Sequence, residues 1–240
     1  MTEWFEQWFG EEYLRLYPHR DDEDAAAAVA LIDRLHPLAG RRALDLACGP
    51  GRHATQLAAR GARVTGLDLS LPLLSLARAR TRGAVRLVRG DMRRLPFRAE
   101  AFDVVVNLFT SFGYFADDAQ HAAVVAGSRA LLRRGGVFVL DYLNDAAVRA
   151  RLVPHEERRI SSQHVVIERS IAPDGRYVLK EMHLLDDGRS FLERVRLFTP
   201  DELVRLLEAA GFAVRHRFGD YHGGPTGPDA PRLILIGIVP

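Results

Sequence analysis

The chain has 240 residues, 48% of them hydrophobic, which is enough to bury one full hydrophobic core without disulfide bonds. Its formal net charge is only +2, and acidic residues interrupt its many arginines, which argues against a nucleic-acid partner. The single cysteine, Cys48, excludes an intramolecular disulfide. The N-terminus lacks the pattern of a signal peptide, and the longest late apolar run, Leu233 to Val239, is too short to span a bilayer. We therefore expect a cytoplasmic monomer or homodimer without a membrane partner.

The first predicted elements, within residues 1–37, are helical. Aromatic residues recur at helical spacing near the N-terminus, and the segment from Asp21 to Pro37 has acids in its first turn, alanines in its body and a proline stop. Two tryptophans and two tyrosines within the first seventeen positions exceed what an ordinary leading helix needs: Trp4, Trp8, Tyr13 and Tyr17. We interpret this region as a helical cover, part of which lies over a ligand site.

Short apolar runs alternate with helical segments between residues 41 and 145. Five runs have strand length: "RALDLA", "ARVTGLD", "AVRLVRG", "FDVVVNLF" and "GVFVLDYL". Several are too continuously apolar for a sheet with one face in water, which is typical of a parallel sheet covered on both faces. Helices are predicted over Arg52 to Arg60, Leu71 to Arg82 and Asp117 to Arg134. The alternation predicts a doubly wound α/β fold with right-handed crossovers.

The pattern changes after Asp145. Two Asp-Gly turns, at residues 174–175 and 187–188, lie between partly alternating segments and predict a three-stranded antiparallel meander within an insertion at 155–198. The remaining segment, 199–240, begins with a helix that has Thr199 as its N-cap and ends with two strands that complete the sheet. The whole chain is thus predicted to form a single domain with a mostly parallel, seven-stranded, Rossmann-like sheet.

The glycine loop "GPGRHA" allows two interpretations. It fits the fingerprint of dinucleotide binding, in which Asp68 would bind a ribose, and this predicts a nicotinamide-dependent oxidoreductase. A pyrophosphate at this loop would, however, lie close to Asp45, and like charges at short distance repel. Asp45 instead suits a ligand with a cationic group, and Asp91 after the third strand suits the exocyclic amine of adenine. An amino acid joined to adenosine has these features, which describes S-adenosylmethionine.

Four motifs in order resemble those of class I S-adenosylmethionine-dependent methyltransferases: "LDLACGPGRHA", "VTGLDLS", "RGDMRRLPF" and "FDVVVNLFTSFGYF". The final strand, "RLILIGIV", resembles the antiparallel seventh strand of that family. The segment "EEYLRLYPHR" and the insertion further resemble a bacterial group that acts on small molecules and includes sugar amine N-methyltransferases. The resemblance implies methyl transfer to a small-molecule acceptor, with N-methylation favoured over O-methylation.

The resemblance also implies roles for single residues around the cofactor. Gly49 and Gly51 would let the backbone approach the methionine part, and Asp45 would order the loop. Ala47 stands where a third glycine is frequent in the family, a change that is tolerated if the residue keeps a negative φ. The other implied cofactor contacts are Asp68 with the ribose, Leu69 with the adenine ring, Asp91 and Met92 with the adenine edge, the Asn107 carbonyl with the ammonium, and Tyr13 or Tyr17 with Arg20 at the carboxylate.

Methyl transfer from a sulfonium has no obligatory acid-base pair, so catalytic candidates follow from the need to remove a proton from an amine. We consider Tyr17, Tyr114 and His222, with Tyr221 as a further possibility. Asp141, Asn144 and Asp145 would suit magnesium, but no acid follows the fourth strand, so we predict no metal. Cys48 is interpreted as a thiol that packs in the loop. A cofactor-binding module without turnover is the remaining alternative to an enzyme.

Overall fold

The computed structural model describes residues 3–16, 22–160 and 163–240, and within these ranges the chain forms eight helices and eleven strands. The helices are α1 (Trp4–Trp8), α2 (Glu11–Leu16), α3 (Asp22–Leu35), α4 (Arg52–Ala59), α5 (Leu71–Thr81), α6 (Asp118–Leu131), α7 (Asp145–Arg151) and α8 (Pro200–Ala209). The strands are β1 (Arg42–Leu46), β2 (Arg63–Asp68), β3 (Val85–Arg89), β4 (Phe102–Asn107), β5 (Leu132–Leu143), β6 (His155–Ile160), β7 (Gln163–Ile171), β8 (Tyr177–Leu184), β9 (Arg189–Arg196), β10 (Ala213–Phe218) and β11 (Arg232–Ile238).

The main sheet has seven strands in the order β3-β2-β1-β4-β5-β11-β10. Strands β1 to β5 pair in parallel, whereas β11 runs antiparallel to both β5 and β10. This confirms the predicted mostly parallel sheet and its antiparallel last strand. The strand order reverses between β1 and β4, and ligands of open α/β sheets bind at the carboxyl ends of the strands at such a point.

Both faces of the sheet are covered, as the continuous apolar runs predict. Leu44 and Leu46 point to the face that α6 and α8 cover, whereas Ala43, Val104 and Val106 point to the face that α3 and α4 cover. Burial of each large apolar side chain contributes about 1.5–3 kcal/mol. The two layers therefore fix the sheet, and with it the positions of the loops at its carboxyl edge.

Two local features differ from the sequence-based expectation. Helix α6 ends at Leu131, three positions before the predicted end, because Leu132 is buried and pairs with Phe102 of β4. A short helix, α7, follows β5 where none is predicted, since its seven residues are too few to show a helical period. In both places tertiary packing overrides the local pattern.

The insertion is a separate antiparallel sheet of four strands, in the order β6-β7-β8-β9, not the predicted three-stranded meander. The missed strand β6 has the sequence "HEERRI", which is charged and mostly exposed, so it shows no apolar alternation. The two Asp-Gly turns are confirmed, with Gly175 and Gly188 at φ +69° and +70° between the paired strands.

The N-terminal helices divide between two layers. Helix α3 packs on the main sheet, whereas α1 and α2 place Trp8, Tyr13 and Leu16 against the inner face of the insertion sheet and against Leu73 of α5. These helices thus fill the space between the insertion and the core. Among the described helices, none combines the length and the apolar character that crossing a membrane requires.

Candidate active site

A cavity of about 840 Å³ lies at the carboxyl ends of β1 to β4, where the reversal of strand order predicts a ligand. Its walls come from the glycine loop after β1, the turns after β2 and β3, and the loop after β4. Phe5 and Phe9 of the N-terminal segment close one side. The volume is in the range of pockets that bind cofactors and small ligands.

The glycine loop approaches the cavity in a conformation that favours glycine. Gly49 and Gly51 have φ +53° and +80°, and a Cβ on Gly51 would lie 3.1 Å from the Cβ of Ala77. Ala47 also has a positive φ, +60°, so the condition of a negative φ, under which a non-glycine residue is tolerated here without strain, is not met. The left-handed conformation of a non-glycine residue costs of order 1–3 kcal/mol, and the hydrogen bond from the Cys48 amide to the Leu67 carbonyl (3.0 Å) helps to hold it.

Two buried side chains beneath this loop have oxygen atoms without a hydrogen-bond partner among the described residues: Asp45 Oδ2 and Asn107 Oδ1. They stand near the ends of adjacent strands, and the Asn107 amide is fixed by donating to the Leu46 carbonyl at 2.9 Å. Burial and the charge of Asp68 raise the pKa of Asp45 to about 7. Because unpaired buried acceptors are costly, the pair suits a cationic group of a ligand.

Asp68 and Leu69 line the cavity at the end of β2. The Asp68 carboxylate accepts hydrogen bonds from the amides of Gly49 (2.7 Å) and Ser70 (2.8 Å). Burial raises the pKa of Asp68, although these backbone bonds oppose the shift. The two amides fix the orientation of the carboxylate and tie the end of β2 to the glycine loop.

Asp91 and Met92 line the cavity after β3, but Asp91 has a protein partner that the sequence analysis missed. Arg93 donates to its carboxylate from Nη2 at 2.6 Å and from Nε at 2.9 Å, and also binds Glu3 at 3.2 Å. Burial alone would raise the pKa of Asp91, but the hydrogen bonds from Arg93 lower it. Asp91 therefore remains ionised at neutral pH and its orientation is fixed.

Aromatic residues cover the cavity on the side of the N-terminal helices. Tyr13 and Tyr114 both line it, and the ring of Phe9 lies between them, 4.9 Å and 5.4 Å from their ring centroids. Trp4 Nε1 donates to the Tyr114 carbonyl at 3.2 Å, which links α1 to the loop after β4. Tyr17 and Arg20 lie outside the described residues, so their predicted roles are not placed.

The structure does not bring His222 to the cavity. Its side chain is exposed in the loop after β10, its amide donates to Asp220 (2.8 Å), and its carbonyl accepts from Arg34 (3.3 Å). Tyr221 from the same loop is directed inward instead, and its hydroxyl donates to Asp141 at 2.7 Å. Burial and Asp141 raise the pKa of Tyr221, which keeps it protonated. Neither residue lines the cavity, so the site offers no general base from this loop.

A buried network around Asp141 holds the loop after β4. Its carboxylate accepts from the Phe109 amide (2.7 Å), from Tyr221 and from Arg232 Nε (2.8 Å). Arg232 also donates to Thr110 Oγ1 at 2.9 Å. Phe109 and Thr110 have φ +57° and +60°, so the network stabilises a conformation that these residues rarely adopt. Phe109 is thereby held at the cavity wall, where Arg52 lies 4.9 Å from its ring centroid.

The structure supports neither a magnesium site after β5 nor a reactive thiol at Cys48. Asp141 is occupied by its three donors, while Asn144 Nδ2 donates to two loop carbonyls and Asp145 pairs with Arg149 (3.5 Å). These residues are therefore not arranged as a magnesium site. The Cys48 thiol is buried, which raises its pKa, and a Cβ on Gly66 would lie 2.8 Å from its sulfur. Cys48 packs against β2 as a protonated thiol.

A second cavity, of about 440 Å³, lies between the core and the inner face of the insertion sheet. It shares three aromatic walls with the larger cavity, namely Phe9, Phe109 and Tyr114. On the insertion side, Lys180 pairs with Glu193 (3.7 Å), and Arg169 pairs with Glu156 (2.8 Å). These charged residues were not among the predicted site residues, because a charged position in a half-exposed strand resembles a solvated one in sequence.

Two further residues of the larger cavity were also missed. Arg52 and His53, in the first turn of α4, are both 6% exposed and line the cavity. Their only sequence signal is their position directly after the glycine loop, where the first turn of the helix points to the ligand.

Comparisons with known proteins identify relatives of this arrangement. Residues 43–136 match a family model described as a methyltransferase domain. The chain is 30% identical over 227 residues to the dTDP-3-amino-3,6-dideoxy-alpha-D-glucopyranose N,N-dimethyltransferase of Streptomyces fradiae, covering 87% of this chain and 81% of that protein. A solved structure of an amino pentose methyltransferase from Micromonospora echinaspora, with S-adenosylmethionine bound and involved in calicheamicin biosynthesis, is 30% identical at a TM-score of 0.72, covering 96% and 97% of the two chains. The CcbJ methyltransferase from Streptomyces caelestis shares the fold at a TM-score of 0.82 and 22% identity, covering 97% and 98%.

Proposed function

The chain belongs to the class I S-adenosylmethionine-dependent methyltransferases, and we propose that it methylates the amine of a small amino sugar carried on a nucleotide. S-adenosylmethionine is the cofactor, so the nicotinamide interpretation of the glycine loop is wrong. The names of two relatives, a dTDP-amino sugar dimethyltransferase and an amino pentose methyltransferase, support an amino sugar as the acceptor.

The larger cavity has groups that fit each part of the cofactor. Asp45 and Asn107 do not line the cavity, but their unpaired oxygens are buried beneath its glycine loop and would accept from an ammonium. Asp68 lines the cavity and presents a fixed carboxylate to the ribose hydroxyls. Leu69, Asp91 and Met92 form the wall proposed for the adenine. The exocyclic amine of the adenine would donate a hydrogen bond to the Asp91 carboxylate, which Arg93 holds in place. Gly49 puts no side chain at the cavity wall, Gly51 allows the loop to pack closely on Ala77, and Tyr13 closes the methionine end. When bound, S-adenosylmethionine supplies a methyl group that its sulfonium already activates.

The observation that carries the proposal is the pair of cavities that share Phe9, Phe109 and Tyr114. With the cofactor in the larger cavity, an acceptor in the smaller one would meet it between these three rings. The insertion, residues 155–198, would then form the outer wall of the acceptor site, and the N-terminal segment would cover both cavities. The core strands would position the donor and the insertion would position the acceptor.

The second cavity has the chemistry expected of a sugar site. Trp4 and Tyr114 offer aromatic faces to the apolar side of a sugar ring, while the Lys180–Glu193 and Arg169–Glu156 pairs offer donors and acceptors to hydroxyl groups. Trp8 Nε1 donates to Glu193 at 2.8 Å and so orients that carboxylate.

The residues of the site promote transfer mainly by orientation and by excluding water. Good orientation lowers the barrier by about 7–11 kcal/mol, and closed aromatic walls keep the reacting groups dry. An acceptor ammonium must lose a proton before it attacks the methyl group. The proton leaves to solvent before the site closes, and Tyr114, which lines both cavities, is the described tyrosine best placed to accept a hydrogen bond from the amine.

The proposal is tested by incubating the purified enzyme with methyl-labelled S-adenosylmethionine and a panel of acceptors. The panel contains dTDP-amino sugars, the matching hydroxy sugars and a peptide with a free N-terminus. We expect label to enter the amino sugars and their mass to rise by one methyl group at a time. Transfer to hydroxy sugars alone, or to the peptide alone, would contradict the amino sugar acceptor while leaving the methyltransferase assignment intact.

The cellular context belongs to the same proposal. We expect the enzyme to work in the cytoplasm, without a nucleic-acid or membrane partner, as a monomer or a homodimer. Light scattering after size-exclusion chromatography would distinguish a monomer from a homodimer. Elution of a larger assembly would contradict both expectations.

A further inference from the structure

His53 is a buried, cavity-lining residue to which the proposed site gives no role. It lies in the first turn of α4, it is 6% exposed, and its Nε2 has no hydrogen-bond partner among the described residues. A buried polar atom without a partner costs about 1–3 kcal/mol. His36 also has a buried, unpartnered Nε2, but it lines neither cavity. The unpaired nitrogen of His53 indicates a ligand contact because His53 also lines the cofactor cavity, which His36 does not.

The surroundings of His53 favour an anionic ligand. The neighbouring Arg52 side chain is also 6% exposed, and the positive end of the eight-residue helix α4 faces the loop. Burial, with the charges of Arg52 and Arg232, lowers the pKa of His53 to about 3. The imidazole is therefore neutral at physiological pH, and a neutral imidazole keeps one N–H that can donate a hydrogen bond.

The methionine part of S-adenosylmethionine carries an ammonium and a carboxylate on the same carbon atom. Asp45 and Asn107, the acceptors proposed for the ammonium, have unpaired oxygens buried beneath the glycine loop at the ends of β1 and β4. His53 provides the complementary donor at the start of α4, which follows β1 through the glycine loop. We infer that His53 binds the carboxylate of S-adenosylmethionine through Nε2–H, beside the positive charge of Arg52. This role adds a contact to the one expected from Tyr13, Tyr17 and Arg20.

Binding of product analogues tests the inference without relying on turnover. The probes are S-adenosylhomocysteine and its decarboxylated analogue, which keeps the adenosine, the thioether and the amine but lacks the carboxylate. The variants are His53→Leu, which removes the donor, His53→Gln, which restores one, and His36→Leu as the matched control. Calorimetry gives the dissociation constants, and thermal melts confirm that each variant is folded.

We expect His53→Leu to weaken S-adenosylhomocysteine binding by about tenfold or more, the usual effect of losing a hydrogen bond to a charged group. The decarboxylated analogue should bind wild type and His53→Leu equally, and His53→Gln should recover most of the lost affinity. His36→Leu should change neither affinity. Equal weakening of both probes, or unchanged affinity for S-adenosylhomocysteine, would overturn the inference.

If His53→Leu does not fold, NMR of wild-type protein labelled with ¹⁵N in its histidines provides the test. S-adenosylhomocysteine should shift the nitrogen resonances of one histidine that stays neutral at pH 5.5, and the decarboxylated analogue should not. Equal shifts with both probes would overturn the inference. Failure of both probes to bind wild type would instead contradict the cofactor assignment, so the two outcomes are distinguishable.

Discussion

Asp45 is a single carboxyl group in which the proposed contact with the cofactor and the stability of the fold oppose each other. Its pKa is raised from 3.8 to about 7, first by burial and then by Asp68, although the Ala54 amide and Arg52 partly compensate. A raised carboxyl pKa means that the folded protein binds the proton more tightly than the unfolded chain does. The resulting penalty is absent below about pH 4, grows as the pH rises towards 7, and is complete above it.

The first prediction concerns Asp45→Asn. We expect a higher melting temperature than wild type at pH 8 and little difference at pH 4, because the variant lacks the buried charge. Affinity for S-adenosylhomocysteine should fall at least roughly tenfold at pH 8, since the ammonium loses its anionic partner. In wild type the affinity should also fall as the pH drops below 7, whereas the affinity of the variant should not.

Asp103→Asn is the matched control for stability. Asp103 accepts from the Arg42 amide (2.7 Å) and pairs with Arg133, and these contacts lower its pKa against the opposing effect of burial. Its removal should therefore lower the melting temperature at pH 8. A destabilised Asp45→Asn that binds the cofactor normally would contradict the role assigned to Asp45.

The two faces of the insertion sheet have different surroundings. Lys180 on β8 is half-buried in the second cavity, and its pKa is lowered by burial despite Glu193. The next residue, Glu181, is exposed on the outer face because side chains alternate along a strand. Adjacent positions on one strand therefore allow the acceptor wall to be changed without altering the fold.

The second prediction compares Lys180→Met with Glu181→Gln. Lys180→Met removes a donor from the acceptor cavity, so the KM for the acceptor should rise about tenfold while the affinity for S-adenosylhomocysteine stays within twofold. Glu181→Gln should leave both values unchanged. Steady-state kinetics and calorimetry measure the two quantities. If Lys180→Met weakened cofactor binding and spared the acceptor KM, the second cavity would not be the acceptor site.

The N-terminal helices form a structural layer as well as a cover. Trp8 is 1% exposed, packs 4.7 Å from the Phe191 ring centroid and donates to Glu193. Helix α2 places Leu16 in the same cluster as Trp8 and Leu73 of α5. The helices therefore attach the insertion sheet to the core, which the aromatic spacing alone does not reveal.

The third prediction follows from this packing. Trp8→Ala should lower the free energy of unfolding by about 3–5 kcal/mol, the usual cost of removing a buried tryptophan. Trp8→Phe keeps most of the apolar surface and loses the hydrogen bond to Glu193, so its cost should be about 1 kcal/mol. Urea unfolding measures both. A stability unchanged in Trp8→Ala would indicate that α1 is a detachable cover.

Across the whole molecule, the sequence predicts those elements whose residue types follow directly from their burial. The six residues of β4 are all buried, so their apolar run identifies a central strand. Strand β6 has mostly exposed residues and gives no such signal, although backbone pairing with β7 makes it a strand. Asp68 and Asp91 follow recognisable strands, whereas Lys180 and Glu193 reach the second cavity only through the packing of the insertion sheet.

Single-residue conformations were the least predictable feature. Ala47 adopts φ +60°, because the path of the glycine loop is set by contacts with β2, not by its own preference. His53 resembles any histidine in an amphipathic helix until the structure shows its unpaired nitrogen in the cavity. Both features depend on atoms that are distant in sequence, so local patterns do not encode them.

In the proposed reaction, the main sheet and the insertion sheet form different binding sites. The main sheet supplies the loops around the larger cavity, and the insertion sheet supplies the charged wall of the second cavity, where we propose that the acceptor binds. Changes in the insertion would therefore alter the acceptor without disturbing the cofactor site, as is common when function resides in segments attached to a stable fold.

The most direct test of this arrangement is a crystal structure with both S-adenosylhomocysteine and a dTDP-amino sugar bound. We expect the thioether in the larger cavity and the sugar amine between Phe9, Phe109 and Tyr114. The gap between the amine nitrogen and the sulfur should be large enough for the one methyl group that is transferred. Reacting atoms in a productive complex lie roughly 3–3.5 Å apart, so the amine should point at the sulfur along the line of transfer. An amino sugar bound outside the second cavity, with its amine directed away from the sulfur, would contradict the account.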